Sequence, residues 1–141
     1  MRNILFAIVV WLNSPCIGQL RPGIDTSKNS YREDSSAIYN ICPQGAVPPN
    51  GKEFTFIEDY ILPRINRGSI QYDLDHNKQG FLEIQFIIEK DGRVTNVEVL
   101  SSVGKRIDVE FVRIISLSIW EPAYLNDQPI RQRFLLETYI E

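Results

Sequence analysis

The chain holds one histidine and two cysteines, and no set of acid, base and nucleophile can be assembled around them. His76 lies in the polar run Asp73-Leu74-Asp75-His76-Asn77, whose acids invite comparison with a calcium loop. An EF-hand loop needs glycine at its sixth position and an acid at its twelfth. Counted from Asp73 those positions hold Lys78 and Ile84, so a solvated loop is the expectation. Ser101, Ser102 and Ser116 are nucleophiles by type alone, because a serine needs an activating base. Ser101 and Ser102 are expected to satisfy nearby backbone groups instead. Glu83, Glu89 and Glu98 could pair as carboxylates, but acid–base work needs one of them desolvated. A solvated sheet face is expected there. Gly45, Gly51, Gly80, Gly92 and Gly104 are scattered as turn residues, not gathered into a phosphate loop. No enzymatic activity, metal site or cofactor is expected, and function falls to binding.

A chain of 141 residues that is 43% hydrophobic and 23% charged has the material for one domain with a core. A formal net charge of −3 and the lack of any Lys/Arg run argue against nucleic acid and anionic lipid as partners. The first residues, MRNILFAIVVWLNSPCIGQ, have the layout of a secretory signal: Arg2 in the charged part, Ile4 to Leu12 as the apolar part, and small residues Cys16 and Gly18 ahead of Gln19. The apolar run is shorter than the roughly 20 residues that span a bilayer. Residues 1–18 are therefore read as a signal peptide, with an uncleaved inner-membrane anchor as the alternative. Residues 19–45 are a polar leader, and 46–141 the domain. Removal of Cys16 would leave Cys42, expected to be buried as a small apolar residue or paired with another chain.

Within the domain, Phe54, Ile57 and Ile61 have helical spacing over 52–61, ended or kinked by Pro63. Residues 66–80 read as a polar connection. FLEIQFIIEKDGRVTNVEVL (81–100) is two apolar runs about a Lys-Asp-Gly-Arg break. A two-residue Asp91-Gly92 turn of type I′ would set Lys90 against Arg93, Ile88 against Thr95, Phe86 against Val97 and Ile84 against Val99. Leu82, Ile84, Phe86, Ile88, Val97 and Val99 then share one face. Glu83, Gln85, Glu89, Asn96 and Glu98 share the other, with Ile87 as the exception. A loop is expected over 101–107. A second helix follows, with Asp108 as N-cap, an apolar face from Phe111 to Trp120, and Pro122 as its end. After a turn at 126–128, residues 129–140 alternate as a third strand: Ile130, Phe134, Leu136 and Ile140 against Arg131, Arg133 and Glu137.

These elements predict an α+β fold, a two-layer sandwich of a three-stranded antiparallel sheet with two helices on one face. A right-handed crossover through the second helix gives strand order 2-1-3. The last strand becomes an open edge, to which an extended segment of another protein can add. The candidate partner-binding residues are Gln128, Ile130, Arg131, Gln132, Arg133, Phe134, Leu135 and Glu137. Trp120 is assigned to core packing.

With these residues in order, the chain resembles the TonB C-terminal domain family. GFLEIQFIIEKDGRVTNVEVLSSVGKRIDVEFVRII, the Trp120-Glu121-Pro122-Ala123 corner, and Pro49-Asn50-Gly51 followed by Phe54 and Tyr60-Ile61 carry the resemblance over about 46–141. Asn126-Asp127 stands where the family more often has Asn-Gly. The resemblance implies a periplasmic location, TonB-dependent outer-membrane receptors as partners, and a role in energised transmembrane transport. The alternative is an anchorless envelope adaptor, or a self-associating module such as a homodimer, without energy transduction. Membrane association is expected only with the signal uncleaved.

Overall fold

The computed structural model describes residues 36–40, 42 and 44–141. Residues 1–18, read above as a signal peptide, and most of the expected polar leader lie outside the described residues. The elements run β1 (Ile38–Tyr39), three helical turns from Glu53 to Arg64, α1 (Arg67–Asp75), β2 (Gly80–Ile88), β3 (Val94–Ser101), α2 (Lys105–Ser116), β4 (Ala123–Leu125) and β5 (Gln128–Ile140). The α+β class is as expected, but the sheet has five strands, not three, ordered β1-β5-β2-β3 with β4 paired to β5. The predicted adjacency survives inside it: β2 lies between β3 and β5, antiparallel to both.

The helices differ from the two expected. Residues 53–64 form unequal turns: a 3-10 turn at Glu53–Thr55, a wider π turn at Phe56–Ile61 and a second 3-10 turn at Leu62–Arg64. Pro63 sits near the start of that last turn, where its missing N–H costs little. Phe56, Ile57 and Ile61 are buried. The stretch read as a polar connection contains α1. Asn66 caps it, its side chain accepting from Gly68 N at 3.1 Å. Ile70 and Asp73 are its buried residues, so its apolar stripe is too thin to announce a helix. Asp73 is buried because its carboxylate accepts from Arg106 N (2.8 Å) and Ile107 N (3.2 Å). It caps α2 from another helix, satisfying amides that α2 itself leaves bare. The expected cap, Asp108, lies inside the first turn and accepts from Ser102. The loop expected over 101–107 accordingly ends at Gly104.

α2 stops at Ser116, short of Trp120 and Pro122. The buried Ser118 hydroxyl turns back to the Ile115 carbonyl, and Trp120 Nε1 donates to Ser118 Oγ at 2.8 Å. Trp120 is 3% exposed, its ring 4.9 Å from Phe56, 5.6 Å from Phe86 and 4.9 Å from Phe134. The core assignment of Trp120 holds, and Ile119, expected on the buried face, is 61% exposed.

The β2–β3 hairpin has the predicted faces with a different register. Its loop has three residues, Lys90-Asp91-Gly92. Glu89 N donates to Arg93 O (2.8 Å), Gly92 N donates to Glu89 O (2.9 Å), and Gly92 has φ +82°. Asp91 is not left-handed, so the turn is not type I′. Ile88 pairs with Val94 and Ile87 with Thr95; of the predicted pairs, Ile84 with Val99 remains. Phe86 then faces both Asn96 and Val97, a bulge in which Asn96 takes φ +50°. That extra residue restores phase, so Val94, Val97 and Val99 all pack on the core. The type I′ geometry appears instead at Asn126 (φ 51°) and Asp127 (φ 62°), joining β4 to β5.

Candidate protein-binding edge

β5 alternates as its sequence demands. Ile130, Gln132, Phe134, Leu136, Thr138 and Ile140 are buried, while Arg131, Arg133, Leu135, Glu137 and Tyr139 stand on the open face of the sheet. Of the eight candidate binding residues, the structure brings Arg131, Arg133, Leu135 and Glu137 into one row. Ile130 and Phe134 point into the core and can meet a partner by backbone alone. Gln132 is also turned inward, its Oε1 accepting from Ala46 N at 2.7 Å. Gln128 is exposed at the β4–β5 turn, paired with Leu125.

One side of β5 is held by β2 from Ile88↔Gln132 through Gly80↔Ile140. The other side is not wholly open, as the three-strand expectation had it. β1 lies along it in parallel, with Ile38 opposite Arg131 and Tyr39 opposite Gln132. The ladder ends there. Among the described residues no strand pairs with Leu135–Ile140 on the side away from β2.

Arg131 explains why β1 sits where it does. Its Nε and Nη2 reach the two carboxylate oxygens of Glu89 at 2.7 and 2.9 Å, and its Nη1 donates to the Ser36 carbonyl at 3.1 Å. Thr95 Oγ1 donates to the same carboxylate at 2.6 Å. Three strands are thus tied across the open face, and β1 is held at its start. The Arg131 hydrogen bond is the main reason that the Glu89 carboxyl sits below its ordinary value of 4.5; burial opposes it, and Thr95 assists. Because Arg131 is engaged in this way, Arg133 and Leu135 are the residues of the row left facing solvent, Leu135 at 43% exposure.

The other groups weighed for chemistry are held by structural contacts. His76 Nδ1 lies 2.7 Å from the Tyr72 carbonyl and its ring stacks on Tyr72. Ser101 Oγ donates to the Phe81 carbonyl at 3.0 Å. Cys42 is half-buried against the core. Residues 37–42 read in the sequence as a short extended piece, but the sequence reasoning missed the pairing of Ile38–Tyr39 with β5, Glu89 as the anchor of Arg131, and the Phe81–Tyr139 ring pair at 5.0 Å. The alternation of β5 could have pointed to Tyr139; a two-residue strand carries no periodicity by which to find it.

The chain is thus a small α+β domain in which β5 is only partly paired on the side away from β2 among the described residues. Residues 74–139 match the model of the family described as Gram-negative bacterial TonB protein C-terminal, the family that the sequence resembles. The match starts within α1 and ends in β5, while Phe56, Ile57 and Ile61, upstream of it, complete the same core. No curated protein matches the chain. The match supports a TonB-like family role in energy transduction for transport at the envelope. No described helix is long and apolar enough to cross a membrane.

Proposed function

We propose that this domain works in the periplasm by adding an extended segment of an outer-membrane TonB-dependent receptor to the outer side of β5, and so serves energised transport. The observation that carries this reading is β1. A segment of the chain's own leader already pairs with β5 at Arg131 and Gln132, so this edge accepts an extended backbone. Beyond it lies a stretch from Leu135 to Ile140 of about 20 Å at the usual rise per residue. Backbone hydrogen bonds along that stretch supply affinity, and Arg133, Leu135 and Glu137 tune the choice of partner. The reading is of a binding domain, not an enzyme: His76, Ser101 and Ser102 each meet a group of their own surroundings.

Amide hydrogen exchange tests it directly, with synthetic peptides covering the periplasmic N-terminal segments of such receptors as probes. In the free protein, those amides of 135–140 that point away from β2 exchange fast. With the right peptide they slow by at least about tenfold, as paired strand amides do. Saturable peptide binding that leaves these amides fast would place the docking surface elsewhere.

A further inference from the structure

The open part of the edge carries a charge arrangement that restricts what can lie against it. Glu137 of β5 stands directly opposite Glu83 of β2. Directly opposed residues share a face with Cβ atoms about 5 Å apart, and like charges there repel. Among the described residues neither carboxylate has an ion-pair partner. Two residues away on either side the row is apolar: half-exposed Leu135, and Tyr139 against the exposed ring of Phe81. A strand added on the outer side sets one of its residues directly across from Glu137 on this same face. That residue lies beside Glu137, with Glu83 one strand further off at about 10 Å. A third acid there would add to the repulsion, whereas a cation relieves it.

We propose that the Leu135–Ile140 edge selects an extended protein segment with Lys or Arg opposite Glu137, flanked at the second residue on each side by apolar or aromatic side chains opposite Leu135 and Tyr139. The inference rests on the strand-addition reading above and specifies the chemistry of the partner. The alternation of a strand gives the pattern apolar–x–cation–x–apolar in either chain direction, because Leu135 and Tyr139 flank Glu137 symmetrically.

The test uses the full chain and two ten-residue peptides of alternating valine and threonine with Gly-Ser tails. They are identical except for Lys or Glu in place of a central valine, so that valines stand at the second residue on each side. Binding is measured by titration, and its location by exchange of the 135–140 amides. The Lys peptide is expected to bind roughly three- to tenfold tighter than the Glu peptide at low salt, the size expected of an opposite-charge against a like-charge cross-strand pair. Salt at 0.5 M should erase most of the difference. Glu137→Gln should abolish the preference and Glu137→Lys reverse it; both changes fall on the open face and leave the core intact. Equal affinity of the two peptides, with the edge amides protected, would overturn the charge selection and leave strand addition standing. A Lys preference that survives Glu137→Gln would assign the cation to another carboxylate and overturn the proposal as stated. Failure of both peptides to protect any edge amide at millimolar concentration would remove strand addition itself.

Discussion

Gly92 is the residue on which the hairpin depends most. Its φ of +82° is left-handed, and a Cβ built there would stand 2.0 Å from the Trp120 carbonyl oxygen. That carbonyl belongs to the segment whose Trp120 N donates to Gly92 O at 2.9 Å. Glycine is therefore required twice, for its backbone angle and for the close approach of another chain segment. Gly92→Ala is expected to cost more than about 2 kcal/mol, because the clash is with backbone that cannot yield without moving Trp120 out of its aromatic nest. Urea unfolding with tryptophan fluorescence measures it. A loss below about 1 kcal/mol would mean that the Trp120 segment is free to shift.

Among the elements, the start of α2 is where two helices depend on each other. Gly104 precedes the helix without a capping side chain, and the cap comes from Asp73 of α1. The same helix holds α1 and the turns before it. Glu110 accepts from Asn66 N at 3.0 Å, while Arg113 bridges Glu110 at 2.8 Å and the Arg64 carbonyl at 3.0 Å. Asp73→Ala is expected to destabilise by about 1–2 kcal/mol, the usual range for a lost helix cap. The loss should show as fast exchange of the Arg106 and Ile107 amides while β2 and β5 stay protected. Unchanged protection at those two amides would mean that water replaces the carboxylate without loss.

For the molecule as a whole, two carboxylates are expected to contribute to the acid sensitivity of stability. Glu110 is lowered below its ordinary value of 4.5, first by the hydrogen bond from Arg113 and then by that from Asn66, against the effect of burial. Glu89 is lowered first by Arg131. A carboxyl with a lowered folded-state pKa binds its proton more weakly in the native than in the unfolded state. Its stabilisation is then complete above the unfolded value, near 4.5, and is lost as pH falls through the folded value. Stability measured by urea unfolding should be level from pH 7 to 5 as far as these two groups are concerned, and fall below that. Glu110→Gln should lower the plateau and flatten the acid slope. A slope unchanged in that variant would assign acid sensitivity to other groups. Since Glu89 also anchors Arg131, and through it Ser36, acid should loosen β1 from the edge before the core opens.

Much of this domain was legible in its amino acids. The faces of β2 and β5 follow from period-two alternation, the adjacency of β3, β2 and β5 from the handedness of the crossover, the core role of Trp120 from its size, and the family resemblance from motifs in their order. Four features were not. α1 shows little because its buried residues are Ile70 and a carboxylate, and Asp73 is buried for the sake of amides in a helix more than thirty positions away. The first hairpin turn is not type I′ because the Gly92 contact with Trp120, not the Asp-Gly dipeptide, governs that loop, and bulges downstream absorb the change. α2 ends early because Ser118 and Trp120 find partners with each other and with Ile115. Finally, the alternation of residues 129–140 predicts a strand with one wet face, but which of its two sides stays unpaired is decided by what else reaches it. Here β1 arrives from the leader, held by Arg131, and among the described residues leaves Leu135–Ile140 unpaired on the side of β5 away from β2.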